Sequence, residues 1–111
     1  MKQRLELVKG NSESLLLHLL DQQPMYGYQI IKELEQRSDG YFKFKEGTLY
    51  PALHRLEKAG LICGKWQMLP SGRQRRYYHI TAKGQRVLVE KMGQWREFAT
   101  AMDLVIRPSG I

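Results

Sequence analysis

The chain has 111 residues, enough for one modest core and too few for two independent ones. A single cysteine, Cys63, excludes an intrachain disulfide, and histidines at 18, 54 and 79 give no metal-ligand spacing, so neither a metal nor a cofactor is implied. The net charge of +7 lies wholly in Lys58 to Val89, which holds seven cations and no acid while the rest holds eleven of each sign; such a patch suits nucleic acid or an anionic membrane, or is a plain solvated face.

The opening MKQRLELVKGN lacks the apolar segment of a signal peptide, and no run is long enough to span a bilayer. The expectation is a cytoplasmic protein without a membrane partner. Leu15, Leu16, Leu17, Leu19 and Leu20 predict a first helix, apolar nearly all round and stopped at Pro24. Asn11 and Ser12 are its plausible caps, with Glu13 placed for the helix dipole, and the residues before them form an arm or a helical extension across Gly10. A second helix runs from about Gly27, buries Ile30, Ile31 and Leu34, and ends near SDG, where Gly40 takes a left-handed conformation.

In KEGTLYPALHRLEKAGLI, Leu49, Leu53 and Leu56 recur at steps of four and three and point inward. At about 100° per residue, Gly47, Pro51, His54, Arg55 and Lys58 take the opposite face, with Tyr50 on a flank. Pro51 requires a helix start nearby, close to Glu46 or Thr48, and Gly60 ends the helix. LICGKWQML and RRYYHIT then read as a β-hairpin around PSGRQ, with a basic tip. Tyr77 and Tyr78 take opposite faces of their strand, one core and one exposed.

Thr81 caps a last helix in which Leu88, Met92, Trp95, Ala99, Met102 and Ile106 alternate steps of four and three. From Ala82 to Ile106 it would be roughly 37 Å long, against a radius of gyration of roughly 13 Å for a domain this size, so part of it needs a partner chain. Trp95, with Met92, Phe98 and Met102, makes an irregular, polarizable surface at this seam. It either fills a dimer core or repacks around a flat apolar guest.

Helix, helix, helix, basic hairpin, long helix is the order of a winged helix-turn-helix, mainly α with a small β-hairpin. Residues 1–80 form the DNA-binding domain in this reading, and residues 81–111 the dimerisation helix and tail. In such a fold the third helix enters a major groove, so Gly47, Thr48, Tyr50, Pro51, His54 and Arg55 form a reading surface. Arg55 suits guanine or phosphate, and Pro51 and the Thr48 methyl suit a thymine methyl. The plainer alternative makes Arg55 and Lys58 solvated charges near Glu57 and Tyr50 half-buried packing. Arg73, Arg75 and Arg76, with no acid in their segment, suit phosphate or minor-groove contacts.

YGYQIIKELE, EGTLYPALHRLEKAGLI and GRQRRYYHITAKG resemble, in order and spacing, the PadR family of bacterial transcriptional regulators over about Gly10 to Leu88. The resemblance implies a homodimeric repressor on a palindromic double-stranded DNA operator, of the subgroup with a single C-terminal helix. It implies phosphate contacts for Tyr28 and Lys32, and DNA contacts for Thr48, Tyr50, Pro51, Arg55 and the wing arginines. It also implies a planar aromatic or cationic effector near Met92, Trp95, Phe98 and Met102. Ser12 and Ser14 stand where many members have apolar residues. No nucleophile with an adjacent base and no paired carboxylates share a surface, so an enzyme is not expected. The rival from another class is a winged-helix module whose basic face binds an acidic protein.

Overall fold

The leucines of the first helix sit in the middle of the core: Leu16, Leu17, Leu19 and Leu20 are buried, while His18 is exposed. The computed structural model describes the backbone of residues 2–108 and the side chains of residues 11–108. Helix α1 (Lys2–Gln22) runs unbroken across Gly10, which settles the choice between arm and extension. Asn11 and Ser12 are therefore not caps. Ser12 is buried inside the helix, and Glu13 pairs with Lys91 of the last helix at 3.3 Å instead of serving a helix end. A lone glycine inside a helix lowers its stability by only about 1 kcal/mol.

After Pro24 comes a strand absent from the sequence reading, β1 (Met25–Tyr26). Helix α2 (Gly27–Arg37) follows at once, burying Gly27, Ile30 and Leu34. Its end is a left-handed pair, Asp39 at φ 54° and Gly40 at φ 84°. The Ser38 hydroxyl donates to the Leu34 carbonyl at 2.7 Å and accepts from the Phe42 N–H at 2.8 Å. This turns the connecting loop inward, so that Phe44 is buried and Phe42 half-buried.

Helix α3 (Glu46–Lys58) buries Leu49, Ala52, Leu53 and Leu56, the face set by the leucine spacing. Gly60, at φ 77°, ends it, and the Leu61 N–H returns to the Leu56 carbonyl at 3.0 Å in a Schellman-type stop. Strands β2 (Ile62–Met68) and β3 (Gln74–Ile80) pair antiparallel from Ile62 opposite Ile80 to Met68 opposite Gln74. The turn is held by Leu69 N–H to Arg73 O at 2.8 Å and by Gly72 at φ 88°. Because Met25 pairs with Tyr78 and Tyr26 with Tyr77, the sheet has three strands in the order β1-β3-β2. Tyr78 is the buried member of the tyrosine pair, and Tyr77 is half-buried edge-on to Tyr26.

Helix α4 (Ala82–Ile106) starts at the predicted cap: the Thr81 hydroxyl accepts from Gly84 N–H at 3.0 Å and donates to Gly60 O at 2.7 Å. Lys83 Nζ adds a 2.9 Å bond to Ala59 O. Gly84 lies against the Leu61 carbonyl so closely that a Cβ would stand 2.1 Å from its oxygen. Leu88 completes the core, Met92 packs on its margin, and the helix then leaves the body. The outcome is a molecule of 63 × 29 × 23 Å with a radius of gyration of 16.3 Å.

Candidate nucleic-acid interface

The exposed face of α3 holds Gly47, Thr48, Tyr50, Pro51, His54, Arg55 and Lys58. Because its leucines are fixed in the core, these side chains have no other direction to take. Pro51 gives no N–H to the Gly47 carbonyl one turn earlier, so the exposed start of the helix lacks that bond. Tyr50 is the exception on this face. Its ring lies over Gly27, where a Cβ would come within 2.2 Å of the hydroxyl oxygen, so α3 is keyed into the first turn of α2.

The three wing arginines, grouped together by sequence, occupy three different environments. Arg73 is exposed beside the turn. The Arg75 guanidinium is 3.9 Å from the centre of the Tyr26 ring, a cation–π contact that holds the half-buried side chain against β1. Arg76, on the opposite face of β3, donates from Nη2 to the Glu57 carboxylate on α3. The acid missing from the wing segment is thus supplied by α3. It is Arg76, and not Arg55 or Lys58, that takes Glu57 in an ion pair.

A cleft of about 350 Å³ joins these pieces, lined by Tyr26, Gly27, Tyr50, Trp66 and the two arginines, with Tyr78 at its floor. A shallower depression brings His54 together with Glu57, Lys58 and Arg76. Tyr28 and Lys32 lie exposed on α2, the Lys32 ammonium 5.3 Å from the Tyr28 ring centre, and the first turn of α2 carries no acid. The sequence reading had no signal for Tyr26 or Trp66 as members of this surface, and set Glu57 beside Arg55 and Lys58 instead of Arg76. Each is brought there by sheet register or by helix packing, not by its neighbours in sequence.

A separate cleft of about 270 Å³ lies between α1 and α4, lined by Asn11, Ser14, Leu15, His18, Phe42, Met92 and Trp95. It unites two of the four residues assigned to an effector; Phe98 and Met102 lie farther along α4, outside it and exposed. The seam residues divide in the same way. Leu88 is buried and Ala99 half-buried, whereas Trp95, Met102 and Ile106 are exposed at 51%, 46% and 66%. Among the described residues no group of histidine, cysteine and acidic side chains is placed to hold a metal, and no helix is long and apolar enough to cross a membrane.

A helical core with α3 beside a basic hairpin, closed by a third short strand, defines a winged helix-turn-helix protein. The family model described as "Transcriptional regulator PadR-like family" matches residues 16–90, and the chain belongs to this family of transcriptional regulators. Among its relatives, the transcriptional regulator Rv3488 of Mycobacterium tuberculosis is 34% identical over 84 residues, 76% of this chain and 75% of that protein. The PadR-like transcriptional regulator BC4206 of Bacillus cereus superposes with a TM-score of 0.84 at 32% identity, over 94% of this chain and 99% of that one. A PadR family regulator from Eggerthella lenta gives 0.82 at 32% identity, over 97% and 92%.

Proposed function

We propose that this chain is a sequence-specific, homodimeric repressor that binds a palindromic operator and is released by a flat aromatic or cationic effector. The reading divides the chain into a DNA-binding unit, residues 1–80, and a dimerisation helix and tail, residues 81–111. The observation that carries it is the exposed polar face of α3, whose Tyr50 lines one cleft with Arg75 of the wing and with Tyr26 and Gly27 at the start of α2. Thr48, Pro51, His54 and Arg55 read base edges, and Gly47 allows close approach. Tyr28, Lys32, Arg73 and Arg75 hold phosphates and set the register. Tyr50 acts mainly by packing on Gly27.

Support for the dimer comes from α4, whose outer half turns Trp95, Met102 and Ile106 to solvent, together with Phe98 at 64% exposure. Leu88, assigned to the seam by its spacing, is already buried in this chain's core, so a second copy covering Met92, Trp95, Ala99, Met102 and Ile106 would shield this stripe and set two recognition helices about one DNA turn apart, roughly 34 to 36 Å. The effector is assigned to the α1–α4 cleft around Met92 and Trp95, with Phe98 and Met102 contributed along the seam. Duplex binding across a salt series tests the core of this reading. A linear fall of log K with log salt, together with preference for one site over scrambled duplex, is the expected result. Binding that ignores DNA sequence at every salt concentration would overturn it.

A further inference from the structure

Glu57 is misplaced for a residue on a DNA-reading helix. It stands one turn from His54 and beside Lys58, where a bare carboxylate would repel phosphate. Its partner Arg76 is held with unusual definition. The guanidinium lies over Gly64, where a Cβ would be 2.1 Å from Nε and 2.6 Å from Cζ. The rings of Trp66 and Tyr78 flank it, their centres 5.9 and 5.6 Å from its Cζ. Its Nε is buried without a hydrogen-bond partner. A guanidinium free for phosphate would have all its donors open; this one has Nε buried and Nη2 engaged by Glu57, so its charge is already answered. Of the ion pairs described, it alone joins α3 to the wing.

We propose that Glu57 and Arg76 form a clamp that sets the pitch of the wing against the recognition helix, making both of them positioning residues for DNA recognition. Gly64 belongs to the device because any side chain there would displace the guanidinium. The pair is half-exposed, and such pairs add little to folding stability, so its effect falls on the angle at which Arg73 and Arg75 meet the backbone. The inference rests on this face being the DNA interface, and it removes Arg76 from the residues that touch DNA.

The test is a double-mutant cycle on operator binding with Glu57→Gln, Arg76→Gln and the double variant, each measured across a salt series. Wing hydrogen exchange over residues 62–80 is followed in parallel. The clamp predicts that each single variant weakens binding about tenfold and that the double is no weaker than the worse single. It also predicts that Arg76→Gln leaves the salt slope nearly unchanged, and that exchange quickens in the wing but not in α1 or α4. The opposite pattern is a slope lowered by about one in Arg76→Gln, with binding unchanged or tighter in Glu57→Gln. That would make Arg76 a phosphate contact and overturn the clamp alone. Failure of the unmodified protein to show any salt-dependent duplex binding would overturn the interface reading and the positioning role together.

Discussion

The Tyr50 phenol covers Gly27, linking the start of α2 to α3 through one ring and one missing side chain. Gly27→Ala would place a methyl carbon 2.2 Å from the hydroxyl oxygen and 2.8 Å from Cζ. Tyr50 is half-exposed, so its ring swings away instead of holding the helices apart. Stability should change by no more than about 1 kcal/mol in urea unfolding, since alanine is the better helix former. Operator affinity should fall all the same. Restoring that affinity by adding Tyr50→Ala would identify the displaced ring as the obstacle.

The wing and the helix should respond differently to loss of charge. Arg73→Ala is expected to weaken binding to operator and random duplex alike and to lower the salt slope by about one. Arg55→Ala should change the ranking of operator variants by about 1–3 kcal/mol at the affected base pair. Competition binding against a panel of single-base variants separates the two, and a uniform loss from Arg55→Ala would make it a backbone contact.

Two glycines of α4 make a matched pair. At Gly84 a Cβ meets the Leu61 carbonyl oxygen at 2.1 Å and Ile80 Cγ1 at 2.8 Å, and a backbone carbonyl cannot rotate aside. Overpacking of about 1–3 kcal/mol exceeds the gain of about 1 kcal/mol from helix propensity, so Gly84→Ala should lower the urea midpoint. At Gly93 nothing lies within 4 Å of the added carbon. Gly93→Ala should raise the midpoint, by up to about 1 kcal/mol.

Burial raises the pKa of the Tyr78 phenol above its ordinary 10.0; the Arg76 cation opposes this, and Tyr50 and Glu57 reinforce it. Above that value the unfolded chain has released a proton that the folded chain retains. The unfolded state then binds fewer protons, and stability declines as pH rises. Unfolding free energies on either side of pH 10.0 should therefore drop more steeply in the unmodified protein than in Tyr78→Phe.

The outer half of α4 offers a test that leaves the fold of one chain alone. Met102 and Ile106 are exposed, so Met102→Glu with Ile106→Glu should give a folded monomer by sedimentation, with weakened operator binding. Trp95→Ala should abolish the fluorescence response to flat cationic dyes. Undiminished dye binding in that variant would place the effector elsewhere.

Regular spacing made most of the fold legible. Leu49, Leu53 and Leu56 gave the inner face of α3 and therefore its outer one, and Thr81 marked the start of α4 because a cap is a local event. What escaped was non-local. A strand of two residues is too short for any period, so Met25 and Tyr26 became visible only through their partners Tyr78 and Tyr77. Phe42 and Phe44 lie in a loop that patterning treats as surface. Glu57 and Arg76 are 19 residues apart, and the charge count that singled out the wing stopped short of the helix providing its counter-ion.

The bonds of Thr81 and Lys83 to Gly60 and Ala59, with Gly84 seated on Leu61, fasten the first turn of α4 to the end of α3. In the proposed reading, α4 and its reading head α3 therefore turn as one lever. Over an arm of roughly 37 Å, a tilt of about 10° at the far end carries the head through about 6 Å, slightly more than one helical pitch. Any angular change at the end of α4 would thus be geared up into displacement of α3 at the proposed DNA interface. Substitutions that loosen the Leu61 joint should blunt this gearing even when both ends of the lever are intact.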